Sequence, residues 1–288
     1  MVSAWKPLPL WVLASLPFIG AVSSGIGSGT HESSKEAQSA PVQAPPSPPK
    51  DAPAGAAGQP VAAPLNDPRL GVVRKLLGAA QYEEARVVAE AVLKDNPTSP
   101  RAQFYAGLTL HKLKKYAAAR PLLEAAMAQP TAFSEGPHVI HYVAWCAYYL
   151  GDLQGARVAF TAHLHEFPNY DDSHFGLGLV ELEEDHLPEA EACFRRALEL
   201  LTMNNGLKRE RAKNLARLGD VFMREDRLGE AEVAYRDAVA LWPDHYEAWA
   251  RLSRLMDRLE RPDEAATARA NQEAALARMQ AKGIPWRP

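Results

Sequence analysis

The last three-quarters of this 288-residue chain repeat one pattern, and that pattern restricts the fold more than any other feature. Each copy contains an alanine, usually with a small residue twelve positions before it and a large apolar residue four positions after it. Successive alanines are separated by 34, 37, 34, 41 and 34 residues. A repeat of this length predicts a stack of similar units, each made of two short helices. The alanines are Ala85, Ala119, Ala156, Ala190, Ala231 and Ala265.

The residue types in each copy predict how its two helices meet. Small residues let two helix backbones approach closely, and larger apolar residues fill the space one turn away. A proline then ends the second helix, as at Pro97, Pro168 and Pro243. Because a single helical hairpin cannot bury its apolar face, neighbouring hairpins must share a core. The residues twelve positions before the alanines are Val73, Gly107, Ala144, Gly178, Gly219 and Ser253.

This pattern resembles the tetratricopeptide repeat family, whose helix–turn–helix unit carries a Gly…Ala…Phe…Ala…Pro signature. The resemblance implies an all-α fold: a right-handed α-solenoid of about six repeats over residues 67–283, with a C-terminal capping helix. It also implies a non-enzymatic scaffold or adaptor whose partner is a protein or peptide. The best matches are Leu218, Gly219, Leu228, Ala231, Tyr235, Ala238 and Pro243, then Gly178, Ala190, Phe194 and Ala197.

Two insertions and two unusual positions interrupt the pattern. Extra residues near 201–211 are expected to lengthen two helices around a turn at 204–206, and extra residues near 130–136 to form a longer loop. His163 occupies a position where the repeat usually has a small apolar residue. The last unit becomes polar through Arg269 and Gln272, as a helix that caps a stack requires.

The first 66 residues have a different composition. Residues 1–24 contain one lysine, an apolar run and then small residues, which is typical of a secretory signal peptide; an uncleaved membrane anchor is the alternative. Residues 25–66 are rich in Pro, Ala and Ser, and we expect a disordered linker there. The protein is therefore predicted to be exported, periplasmic or associated with the cell envelope, with membrane contact only through an uncleaved N-terminal segment.

In the tetratricopeptide repeat family, the first helices of the hairpins line an inner, concave surface. The first helix of the third unit carries aromatic residues at three- and four-residue spacings, hence on one side. We expect this side to bind an extended peptide or an amphipathic helix; packing between neighbouring first helices is the alternative role. The predicted aromatic and histidine residues of this groove are Phe104, Tyr105, His111, His141, Tyr142, Trp145, Tyr149 and Phe175.

A basic group follows the aromatic residues along the same predicted surface. It would suit a carboxylate or an acidic segment of the partner, although arginines are also common on solvated helix faces. The net charge of −3 gives no reason to expect nucleic acid as a partner. The predicted basic residues are Lys213, Arg217, Arg224, Arg251 and Arg254.

Histidines around the third unit are the one indication of chemistry. They make a metal-binding or catalytic protein the alternative function. No Glu or Cys lies at a convincing ligand spacing, and no phosphate-binding loop or nucleophile motif occurs. We therefore predict no catalytic residue, no metal and no cofactor. The histidines are His138, His141, His163, His165 and His174.

Overall fold

A computed structural model of the protein describes residues 67–202 and 207–281, which all belong to one compact unit, Gly58–Pro288. The described residues form twelve α-helices and one 3₁₀ turn, and they include no strand. The predicted signal peptide, the predicted linker and the end of the domain at residue 283 lie outside the described residues.

The helices follow one another with short connections. They are α1 (Arg69–Gly78), α2 (Tyr82–Asp95), α3 (Pro100–Lys112), α4 (Tyr116–Met127), α5 (Val139–Tyr149), α6 (Leu153–Glu166), α7 (Asp171–Glu183), α8 (Leu187–Thr202), α9 (Lys208–Arg224), α10 (Leu228–Leu241), α11 (Tyr246–Arg258) and α12 (Pro262–Ala281). The 3₁₀ turn, Gly136–His138, precedes α5 directly.

Each odd-numbered helix packs on the even-numbered helix that follows it, which gives six hairpins within the described residues. Each second helix also contacts the first helix of the next hairpin. In addition, consecutive first helices contact one another along the whole stack, so they lie on its inner side. The predicted all-α fold of about six stacked helical hairpins is confirmed within the described residues.

The repeated residues form the core of each hairpin. All six repeat alanines are 0% exposed. A Cβ atom added at Gly219 would lie 2.4 Å from Cε1 of Tyr235, and one added at Gly178 would lie 2.8 Å from Cε1 of Phe194. The first helix therefore needs a small residue here, because the large residue of the second helix fills the space.

The turn inside each hairpin has one conformation throughout the stack. One residue per turn has a left-handed backbone, with φ between 57° and 78°. The amide of the next residue donates to a carbonyl five positions earlier, for example Gln81 to Leu76 and Arg261 to Met256. This bond satisfies a carbonyl at the end of the first helix, as in a Schellman motif. The left-handed residues are Ala80, Lys114, Gly151, Asp185, Asp226 and Glu260.

Both predicted insertions lie where expected. Helices α8 and α9 have 16 and 17 residues, longer than the other paired helices before α12, while the turn at 204–206 lies outside the described residues. The segment after Met127 forms the longer loop that ends at the 3₁₀ turn. Helix α12 has 20 residues and is the last described helix of the stack, and its exposed residues include Asp263, Arg269 and Glu273 as well as several alanines. None of the described helices is long and apolar enough to cross a membrane.

Candidate partner-binding groove

The inner surface of α3, α5, α7, α9 and α11, hereafter the groove, contains an open cavity of about 410 Å³ near its N-terminal end. The cavity walls come from α1, α3, α5 and the loops before α5 and α7. The Tyr105 hydroxyl donates to Glu135 at 2.7 Å, and Arg101 pairs with the same carboxylate at 3.1 Å, which fixes the longer loop. Hereafter this cavity is the aromatic pocket; its walls include Phe104, Tyr105, Leu108, His138, Tyr142 and Tyr170.

A second aromatic group lies at the C-terminal end of α5. Tyr149 is 51% exposed, and its ring stacks on Tyr116 of α4 with ring centroids 4.3 Å apart. The ring of Tyr149 also meets that of Tyr148 edge-on at 5.4 Å and lies nearly parallel to that of Trp145 at 5.6 Å. Trp145 itself is only 7% exposed and meets Phe160 edge-on at 5.3 Å. Tyr149 thus presents the accessible ring, and Trp145 supports it from the core.

A carboxylate, Asp172, lies beside this aromatic group at the start of α7, with its side chain 53% exposed. Its Oδ2 atom accepts hydrogen bonds from Nε1 of Trp145 at 3.1 Å and from Nε2 of His141 at 3.0 Å. Burial raises the pKa of Asp172, but the bonds from His141 and Trp145 and the charge of Lys112 outweigh that effect. The pKa is therefore lowered, and Asp172 is ionised at neutral pH.

From Asp172 a line of hydrogen bonds runs into the third hairpin. Ser173 Oγ lies 2.7 Å from Nδ1 of His141 and 2.8 Å from Nδ1 of His163. Nε2 of His163 lies 3.0 Å from Nδ1 of His138, whose ring lines the aromatic pocket. His163 and Ser173 are 0% exposed and His141 is 2% exposed. Asp172, His141, Ser173, His163 and His138 are hereafter the histidine chain.

The histidine chain explains the unusual residue at position 163. Both ring nitrogens of His163 have polar partners, so the imidazole is accommodated in a core position where the repeat usually has a small residue. Burial, together with the positive charges that His141 and His138 would carry, lowers the pKa of His163 to about 3. Burial also lowers the pKa of His138. These two rings are therefore neutral at physiological pH.

Of the five histidines singled out from the sequence, the structure brings three together and leaves two apart. The side chain of His165 is 77% exposed and bonds Glu166, and His174 bonds the carbonyl of Pro168. His163 directs opposite nitrogens at His138 and at Ser173, so the three imidazoles are arranged in series. Metal ligands instead converge on one point.

Another group of potential metal ligands, Glu181, Glu184 and His186, has its ligand atoms within 4.8 Å of one another. The guanidinium of Arg157 bonds both oxygens of Glu181, at 2.8 and 2.9 Å, and also contacts Glu184 and His186. These charge-assisted bonds make the cluster an ion-pair network between α6 and α7. A metal ion would have to displace Arg157.

The basic end of the groove is partly neutralised. Arg251 pairs with Asp220 at 2.8 Å and Arg217 pairs with the same carboxylate at 3.1 Å. Arg224 pairs with Asp185 at 3.2 Å. Lys213 and Arg254 are exposed and have no ion-pair partner in the part of the chain that the structure describes.

The predicted groove residues differ in how accessible they are. Tyr149, Lys213, Arg224 and Arg254 are exposed, whereas Phe104, Tyr105, His141 and Trp145 are buried between neighbouring helices. The others, His111, Tyr142, Phe175, Arg217 and Arg251, are half-buried. Whether any of the thirteen contacts a partner stays a prediction.

Sequence reasoning missed several residues that complete the groove. Asp172 and Ser173 hold the histidine chain together, Tyr116 stacks on Tyr149, and Tyr170 lines the aromatic pocket. Tyr116 was visible only as a repeat position, three residues before Ala119. Position 172 is one helical turn before Phe175 on the same face, and that spacing was the available signal.

A sequence model of the tetratricopeptide repeat matches residues 73–134, 144–202 and 216–279, together more than half of the chain. No curated protein sequence matches significantly.

Solved structures with a similar backbone are numerous. A chain of the APC/C hetero-tetramer Cut9-Hcn1 has a TM-score of 0.63 at 16% identity, over 72% of this chain and 39% of that chain. Pseudomonas aeruginosa pilF has a TM-score of 0.56 at 17% identity, over 74% of this chain and 96% of that chain. BtubC from P. vanneervenii has a TM-score of 0.55 at 14% identity, over 75% of this chain and 94% of that chain. At these identities the similarity concerns the fold.

Proposed function

Since this chain belongs to the tetratricopeptide repeat family, whose repeats are protein–protein interaction scaffolds, we propose that its groove binds a segment of a protein partner. The segment is an extended peptide or one helix, because both expose side chains at intervals that successive first helices can contact. The protein then acts by holding its partner, without catalysing a reaction.

The observation that carries this proposal is the exposed ring of Tyr149, which lies about two helical turns along α5 from Tyr142 of the aromatic pocket. An exposed tyrosine that stacks on Tyr116 and lies near Trp145 is held in place, so it loses little side-chain entropy on binding. The aromatic pocket, at about 410 Å³, has room for an apolar side chain of the partner. Together they offer two apolar anchor points in the first half of the groove.

Two cations in the second half of the groove favour a partner segment with an acidic side chain or a C-terminal carboxylate at that point. Lys213 and Arg254 are exposed and have no ion-pair partner among residues 67–202 and 207–281, so their charges are available to a partner. We therefore expect a segment with apolar side chains followed by one or more carboxylates.

Selection of binding peptides followed by one pair of variants tests this proposal. Peptides from a random display library are selected on the full chain, and the affinity of the best peptide is measured for Tyr149→Ala and for Val158→Ala. Both side chains are 51% exposed, but Val158 lies on α6, a second helix. We expect Tyr149→Ala to weaken binding about tenfold or more.

Val158→Ala, the matched control, should leave the affinity unchanged. Equal losses in both variants, or no loss in either, would contradict binding in the groove. Trp145 is unsuitable for this test, because removing a side chain that is 7% exposed also destabilises the fold. From the sequence alone, Trp145→Ala combined with Tyr149→Ala is expected to spare folding and abolish partner capture; the burial of Trp145 changes the expectation for folding.

We also propose that the protein is exported and acts in a cell-envelope assembly. The composition of residues 1–24 supports this proposal, because one basic residue, an apolar run and small residues are what signal peptidase substrates share. Fractionation of cells that express the full chain, with N-terminal sequencing of the product, tests it. A cytosolic product that retains Met1 would contradict export.

A further inference from the structure

The hydrogen bonds of the histidine chain have one consistent direction when all three rings are neutral. Asp172 is ionised and only accepts, so Nε2 of His141 carries a hydrogen and Nδ1 of His141 accepts. Ser173 must then donate its hydroxyl hydrogen to His141 and accept from Nδ1 of His163. Nε2 of His163 accepts in turn from Nδ1 of His138, and Nε2 of His138 is left as an acceptor.

One added proton reverses the three bonds between His138 and His141 and leaves each of them formed. The proton binds Nε2 of His138, and the Nδ1 hydrogen of His138 passes to Nε2 of His163. The Nδ1 hydrogen of His163 passes to Ser173, whose own hydroxyl hydrogen passes to Nδ1 of His141. The net change is one proton gained, and His141 then carries a positive charge 3.0 Å from Asp172.

We propose that the histidine chain is a proton relay that carries one proton between the aromatic pocket and Asp172, and thereby changes the charge of the groove with pH. Its effect on partner binding rests on the function proposed above, whereas the relay itself requires no partner.

The carboxylate determines where the added proton remains. Asp172 bonds His141 alone among the three rings, and an adjacent negative charge stabilises an imidazolium. His163 contacts a hydroxyl and an imidazole, and it is completely buried, which opposes a charge on that ring. The positive charge therefore rests on His141, at the end of the histidine chain that Asp172 occupies.

The helices and the turn that surround His141 and Asp172 carry further ionisable groups. Burial lowers the pKa of His111 to about 4, so this ring stays neutral, and the positive charge of Lys112 favours the ionised form of Asp172. Burial raises the pKa of Tyr170 and that of Asp171. The groups are His111 and Lys112 on α3, Tyr142 and Tyr149 on α5, His163 on α6, Tyr170 in the turn before α7 and Asp171 on α7. Beyond them, Tyr116 on α4 and Arg217 on α9 interact with Tyr149, and Glu210 on α9 interacts with Asp171.

NMR of the full chain with ¹⁵N-labelled histidine tests the relay, because long-range ¹H–¹⁵N spectra identify the protonated nitrogen of each ring. Above neutral pH we expect hydrogen on Nδ1 of His138, on Nδ1 of His163 and on Nε2 of His141. On acidification His141 should gain its second hydrogen while His138 and His163 move theirs to Nε2, all with a single midpoint. Separate midpoints, or unchanged tautomers at His138 and His163, would overturn the proposal.

Two variants and a control sharpen this test. Ser173→Ala removes the central hydroxyl, so His138 and His163 should no longer change tautomer together with His141. If all three rings still change at one midpoint in this variant, relay through Ser173 is contradicted. Asp172→Asn keeps the hydroxyl and should move the common midpoint of all three rings to lower pH by about one unit or more. An unchanged midpoint would contradict a charge held by Asp172. His165→Gln, outside the chain, should change neither the midpoint nor the tautomers.

The consequence for the groove is measured separately, with the peptide selected on the wild-type chain. Its affinity should change at least about fivefold between about pH 7.5 and about pH 5, and less than about twofold in Ser173→Ala. If the affinity changes equally with pH in both proteins, the relay does not control binding in the groove. If Tyr149→Ala binds normally but the tautomers switch together, the proposed function fails and the relay stands. If the tautomers change independently and Tyr149→Ala loses affinity as expected, the relay fails and the proposed function stands.

Discussion

Glycine at position 219 leaves the space that the ring of Tyr235 occupies, and the same relation recurs at Gly107 and Gly178. Gly219→Ala would bring a Cβ atom to 2.4 Å from Cε1 of Tyr235, which a ring packed at 2% exposure cannot avoid without moving. We expect this change to lower the free energy of unfolding by about 1 to 3 kcal/mol, measured by urea denaturation.

Gly229→Ala in the same hairpin is the matched control. No atom lies within 4 Å of a Cβ added there, and the residue is in the first turn of α10. It should leave the stability unchanged or raise it by up to about 1 kcal/mol, because alanine favours a helix more than glycine does. If the free energy of unfolding is the same for Gly219→Ala and Gly229→Ala, the close contact at position 219 does not affect stability.

At the scale of the element, the turn inside each hairpin carries a backbone conformation that most of its residues disfavour. Lys114 is exposed and has φ of 61°, with no ion-pair partner in the described part of the chain. Lys114→Gly should therefore raise the free energy of unfolding by up to about 1 kcal/mol, in the same denaturation experiment.

Gly151→Ala makes the opposite change at the equivalent turn, where φ is 78°. We expect it to destabilise the protein by about 1 to 2 kcal/mol, although no atom lies within 4 Å of the added Cβ. A stabilising Gly151→Ala, or a destabilising Lys114→Gly, would contradict the left-handed turn.

The hairpins were predictable from the sequence because the repeat alanines and the small residues opposite them mark the same contact in every copy. The left-handed turns were not, since Ala80, Lys114 and Asp185 share no property that a pattern could reveal. The histidine chain was predictable only as a group of nearby residues. Its bonds join His138 to His163 across 25 positions and depend on side-chain directions that spacing does not specify.

For the whole molecule, buried neutral histidines make stability depend on pH. Burial lowers the pKa of His163 to about 3 and that of His111 to about 4, below the ordinary value of 6.5. The unfolded chain binds protons at these residues first, so stability is complete above about pH 6.5 and decreases as the pH falls towards the folded values. Between about pH 7 and about pH 5 each residue should cost about 2 kcal/mol.

Thermal unfolding followed by circular dichroism at a series of pH values measures this effect. We expect the midpoint to fall by roughly 5 to 15 °C between about pH 7 and about pH 5. His165→Gln should show the same fall, since that side chain is 77% exposed. A midpoint that is constant over this interval would contradict this account, because it would mean that the folded and unfolded chains bind equal numbers of protons at these pH values.

The account as a whole depends on a partner segment lying against the first helices of the stack. Hydrogen exchange of the full chain with and without the selected peptide, followed by mass spectrometry, measures this most directly. The peptide should slow exchange in α3, α5 and α7 and in the turn before α7, and leave α4, α6 and α8 unchanged. Protection confined to those second helices would contradict binding in the groove.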